Sequence, residues 1–274
     1  MSTTTIDHVA PTAMPRGSYR MIGLLRSEWT KLRTVRSTMW TIGVIVVLGI
    51  GLSAIATAET TSHWASSPDS HFGFDPTQTS LIGVAFAQLV IGILGVLVVS
   101  AEYGTGTIRA TLAAAPRRTR VLVAKAGVFG AVALVVAEVV SFISYFVGQS
   151  LLTGATPHTT LGDPGALRAV VGSGLYLCVL GLFALGLGVI IRHTAGAISA
   201  FVASLLVLPL IVAALPSSIS NNLRRFLPAN IGNSISAVSP GPHQFAPWTG
   251  FGVLCVYAAV TLVIGGILFV RRDA

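Results

Sequence analysis

Long apolar runs separated by short polar strings divide this chain. The runs cover residues 39–58, 80–100, 121–152, 167–191, 194–215 and 248–270. Each approaches or exceeds the roughly 20 residues a helix needs to cross about 30 Å of hydrocarbon. They are continuously apolar and lack the alternation of a barrel strand, so they predict helices, whose backbone groups are satisfied within one segment. The pattern therefore predicts an all-α integral membrane protein: six transmembrane helices in one domain over residues 18–274, behind a disordered tail over 1–17. The third run is long enough to tilt or to extend beyond the bilayer.

The strings between the runs carry patterns of their own. Ahead of the first span, "SYRMIGLLRSEWTKLRTVRSTMW" sets Met21, Leu25, Trp29, Leu32 and Val35 at helical spacings, with basic residues on the other faces. This predicts a helix over 18–38 lying in the membrane interface. "ETTSHWASSPDSHFGFDPTQT" reads as a solvated loop, because His63, Asp69, His71 and Asp75 have no diagnostic metal-ligand spacing. "AIATAET", at Ala54 to Thr60, resembles a signal-peptidase site. About forty residues precede its apolar run, however, so an ordinary first span is the reading adopted. The string over 216–247 exceeds what a connector needs. It predicts one or two short helices that dip toward the membrane surface or cap a cavity.

Composition agrees with the patterning. Charged residues are 9% of the chain and hydrophobic ones 53%, against about 25% charged in a soluble domain. Fourteen of the seventeen Lys and Arg residues fall before span one, between spans two and three, after span four and after span six. By the positive-inside tendency those segments, and both termini, are expected in the cytoplasm of a multi-pass protein of the cell membrane. The net charge of +8 flanks spans instead of forming a soluble basic face with interleaved aromatics, so a lipid bilayer is the expected partner and nucleic acid is not. Cys178 and Cys255 lie inside apolar runs and read as packing residues.

Catalytic signatures are missing. The only lysines, Lys31 and Lys125, follow Thr30 and Ala124, so no phosphate-binding GxxxxGK[ST] loop exists. "GTGTIR" fails as a dinucleotide fingerprint at its last position, and GxSxG and HExxH are absent. No cofactor or metal is expected on this chain. Glu138, near the middle of span three, is the polar exception, with Ser141 and Tyr145 broadly on its helical face. A charge there costs about 2.5–3.5 kcal/mol on scales set for Asp, Lys and Arg, and roughly ten apolar neighbours at about 0.3–0.6 kcal/mol each offset it. Glu138 should face protein or water, either on a path or mobile interface or as a protonated or hydrogen-bonded packing residue. Gln88 in span two is its candidate partner.

The whole layout resembles the permease subunits of ABC-2 type ABC transporters, especially small actinobacterial permeases that pair with a separate ATP-binding protein. The resemblance rests on "RSEWTKLRTVRSTMW" before span one, on "AEYGTGTIRATLAAAPRRTRVLVAK" between spans two and three, and on the long segment before span six. It implies that the N-terminal amphipathic piece is an elbow helix and that residues 102–120 carry a cytoplasmic coupling helix docking on the ATPase. Glu102, Thr105, Ile108, Arg109 and Leu112 would make that contact. Two permease subunits, identical or related, would enclose the path of an exporter, and ATP and Mg would bind the partner ATPase. On the residues alone, Thr105 or Thr107 can cap a short helix that puts Ile108 and Leu112 on one face and ends at Pro116. Arg117, Arg118 and Arg120 suit headgroups and topology. Two other functions stay open: a membrane scaffold or assembly partner that moves nothing, and an ion-coupled carrier using Glu138.

Overall fold

The computed structural model describes residues 21–66, 73–108, 111, 118–239, 241 and 244–271. Helix α1 (Met21–Thr34) is followed by Val35 in an extended conformation (φ −74°, ψ 111°), which breaks the helix before α2 (Arg36–His63) begins. The α2 helix outruns the apolar stretch that predicted it. Near and in the extension Thr57 and Thr60 satisfy their hydroxyls within the helix, donating to the carbonyls of Ser53 and Ala56. Short α3 (Pro76–Ser80) starts where Asp75 accepts from the Gln78 N–H and Pro76 occupies the first turn, both standard start signals.

The remaining elements are α4 (Val84–Gly104), α5 (Arg118–Leu151), α6 (Ala166–Ile191), α7 (Thr194–Val202), α8 (Leu208–Ala213), α9 (Ser217–Arg224), α10 (Pro228–Ser236) and α11 (Pro247–Arg271). Six stretches are long and apolar enough to span a membrane: α2, α4, α5, α6, the α7–α8 pair and α11. No strand occurs among the described residues. The predicted all-helical membrane architecture is the one observed.

The α6 helix is the axis of the bundle. Its most apolar window is 67% buried, against 22–28% for α2, α5, α7–α8 and α11, and it packs against α4, α5, α10 and α11. Glycine permits the closest approach: a Cβ on Gly95 of α4 would collide with the Gly181 carbonyl of α6. Large side chains such as Phe129, Tyr176 and Phe201 fill the rest of the core.

Span five is interrupted. Between α7 and α8 runs a π-helical turn, Ala203–Val207, ahead of Pro209. Proline has no N–H to donate and its ring crowds the preceding turn, so the i→i−4 ladder is broken there. The buried residues of this span are Ala197, Phe201, Leu205 and Val212, and Leu206, Leu208, Leu210 and Ile211 point outward.

The two ends of the bundle differ. At one end, α3, α10 and the α5–α6 connection are knitted together. Gln149 donates to Pro76 O and Ser80 Oγ and accepts from the Thr159 N–H, while Asp75 Oδ2 accepts from the Val238 N–H at 2.8 Å. Arg168 donates to the carbonyls of Ala237 and Val238. The two short helices expected over 216–247 are α9 and α10, and α10 is buried between α6 and α11 through Ile231 and Ile235. At the other end, α1, the finish of α4 and the start of α5 meet. There Arg192 donates to Leu268 O at 3.0 Å and lies over the Tyr103 ring, and Arg118 reaches Phe269 O. Both arginines serve carbonyls in the last turn of α11, where helix geometry leaves acceptors unpaired and the dipole favours cations.

Candidate functional site

Four charged side chains converge where α1, α4 and α5 meet. The ammonium of Lys125 donates to Glu28 Oε2 at 2.6 Å and to Glu102 Oε1 at 2.9 Å. That of Lys31 donates to Glu28 Oε1 and Glu102 Oε1, each at 2.8 Å. The side chains of Lys125, Glu28 and Glu102 are 4%, 6% and 13% exposed and that of Lys31 is 37% exposed. Burial alone lowers the pKa of Lys31. Hydrogen bonds and charge from Glu102 and Glu28 outweigh burial, so the net direction is upward.

Local sequence explains the convergence. In α1 the apolar stripe Met21, Leu25 and Trp29 stays exposed, and the residues turned inward are Glu28 and Leu32. Glu28 and Lys31 are one turn apart on the same helix. Glu102 lies in the last turn of α4, and Lys125 lies two turns into α5. Three elements distant in sequence are therefore joined by one neutral group of ions.

The loop leaving α4 follows directly. Thr105 caps the C-terminus of α4, its hydroxyl donating back to Ala101 O at 2.9 Å and lying 2.9 Å from the Thr107 hydroxyl. Gly106 adopts φ 71°, a left-handed conformation suited to glycine. Thr105 and Thr107 are exposed, whereas Ile108, expected on the outer docking face, is 4% exposed and packs in the main core. Arg109 and Leu112 lie outside the described residues.

Of the two intramembrane polar residues, Gln88 is buried and accepts from the Tyr176 hydroxyl at 2.5 Å. Glu138 lies against Gly174 of α6, where a Cβ would come within 2.5–2.7 Å of its carboxyl group. Its Oε2 has no hydrogen-bond partner. The expected Glu138–Gln88 pairing does not form; Gln88 is engaged through its carbonyl oxygen with Tyr176 instead. Ser141 is buried, and Tyr145 donates to Thr159 O. Among the described residues no group of three His, Cys, Asp or Glu side chains is placed to hold a metal ion, and Asp75 serves as a helix cap.

Sequence reasoning named Glu102 but missed Lys31 and Lys125 as its partners and Glu28 as the second carboxylate they share. A signal was present, since Lys31 and Lys125 are the only two lysines in a chain otherwise using arginine. In the sequence both lysines read as topological charges.

The sequence model of a family described as "ABC-2 family transporter protein" matches residues 24–209, about two thirds of the chain, from within α1 into α8. A comparison with curated proteins found no match. The matched region contains the ion cluster and the loop after α4, and α6 is the most buried of the six apolar spans: the chain belongs to the ABC-2 transporter family of membrane transport subunits.

Proposed function

We propose that this chain is the permease subunit of an ATP-driven exporter of the cell membrane, working as a dimer with a second copy or a related permease. A separate ATP-binding subunit holds ATP and Mg and contacts the loop that follows α4, with both termini on the same cytoplasmic side. The observation that carries the coupling part of this reading is the Glu102 ion cluster. A force on the loop beyond Thr105 reaches α1 through Lys31 and α5 through Lys125, so displacement of one short segment moves three elements. In this reading Ile108 anchors the loop in the bundle, and Thr105, Arg109 and Leu112 contact the ATPase. Glu138 and Gln88 belong to the interior that rearranges during the cycle.

The test is co-purification and reconstitution with the cognate ATP-binding subunit. The complex is expected to form and to hydrolyse ATP faster than the isolated ATPase. Leu112→Asp together with Thr105→Arg should abolish the stimulation at normal protein levels, and these sites avoid the buried Ile108. No complex and no stimulation with the parent chain would reject the permease reading.

A further inference from the structure

Beside the ion cluster the bundle leaves a cavity of about 420 Å³, within the roughly 300–1,000 Å³ typical of small-molecule sites. Its lining changes along its length. Leu94, Leu97 and Val98 of α4 form an apolar stretch, and Glu102 stands two turns further on, about 12 Å along the axis from Leu94. Lys31 and Thr38 complete the polar end.

We propose that this cavity binds one bilayer lipid whose head carries a phosphate beside a primary ammonium, with an acyl chain lying along α4. The ion cluster is formally neutral, two lysines against two glutamates, so a head with net charge would leave an uncompensated charge in a largely covered site. Both signs are nevertheless on offer. Lys31 is the exposed member and spends two of its three donors on Glu28 and Glu102, which leaves one N–H for a phosphate oxygen. Glu102 Oε1 serves both lysines, whereas its Oε2 has no partner. That oxygen is buried beside the cavity and lacks a donor, which the ammonium of the head would supply. A quaternary head has no N–H to give it. The exposed apolar stripe of α1, including Leu25 and Trp29, sets the polar end at headgroup depth, where the bilayer supplies such molecules. Thr105 and Thr107 also line the cavity, so an occupant touches the loop after α4 and the helix before α2 together.

The full chain in phosphatidylcholine nanodiscs, doped with one acyl-spin-labelled probe at a time, tests this without any ATPase. Electron paramagnetic resonance reads the immobilised fraction for phosphatidylethanolamine, phosphatidylglycerol and diacylglycerol. Phosphatidylethanolamine should be immobilised most. Leu97→Trp, which fills the apolar end and leaves the charges in place, should reduce it to the diacylglycerol level, and Glu102→Gln should erase its advantage over phosphatidylglycerol. Water-soluble glycerophosphoethanolamine should leave the label in place, and release of the label would overturn the assignment to a bilayer lipid. Equal immobilisation of the three probes, or an unchanged spectrum in a Leu97→Trp protein that elutes and melts like the parent, would overturn the site.

Discussion

Lys125 holds its ammonium between two carboxylates with 4% of its side chain exposed. Removing the cation leaves Lys31 alone to serve both Glu28 and Glu102, an excess negative charge away from water, and breaking a buried pair in this way costs about 3–5 kcal/mol. Lys125→Met should therefore lower the unfolding midpoint in detergent, and adding Glu28→Gln should recover part of the loss. An unaltered midpoint in the single variant would mean that water already screens the cluster. Lys31 makes a pH-dependent contribution with a definite sign. Its folded pKa is raised above the ordinary value of 10.5, so its stabilisation is complete below that pH and is lost as pH climbs through the folded value. Thermal unfolding followed across this alkaline range should show a steeper decline for the parent than for Lys31→Met. At this scale the sequence was only partly readable. Glu102 stood in a motif, but its partners lie 71 and 23 residues away, and no local spacing announces such pairs.

The α10 helix shows how an element can be foreseen while its placement is not. Pro228 at its start and the apolar positions Ile231 and Ile235 make a short helix legible. Its insertion beside α6 depends on two glycines instead. A Cβ on Gly172 would lie 2.5 Å from Ile235, and one on Gly232 would lie 2.5 Å from the Tyr176 ring. Periodicity does not report such approaches, because they belong to two elements at once. Gly232→Val should push Tyr176 away, disturb its hydrogen bond to Gln88 and cost about 1–3 kcal/mol by overpacking. Combining it with Tyr176→Ala vacates the space, so the double variant should be less destabilised than the sum of the two changes. Strict additivity in the unfolding midpoints would separate α10 from α6 energetically. Span five was likewise readable in length, yet the π-turn ahead of Pro209 was not. A proline near a helix end predicts a disturbance without fixing which of several backbone repairs is adopted.

At the scale of the whole molecule, charge asymmetry and packing point to one arrangement. The cation-rich segments were assigned to a single side from sequence alone, and the bundle brings the described ones together. Lys31 meets Lys125 through shared carboxylates, and Arg118 and Arg192 both reach the end of α11. Charge counting groups the same segments that the bundle gathers at one end, since it uses total cations per segment and not their partners, and it predicts that this end faces the cytoplasm. The opposite end bears α9, α10 and the α5–α6 connection. Single cysteines introduced at Thr105 and Asn222, both exposed, should then react with a membrane-impermeant maleimide from opposite sides. Thr105→Cys should label only in inside-out vesicles and Asn222→Cys only in intact cells. The native thiols interfere little: Cys178 is buried and Cys255 is partly covered within α11. Labelling of both introduced cysteines from one side would break the six-span topology, and exchange of the two sides would place the ion cluster and the loop after α4 out of reach of a cytoplasmic ATPase.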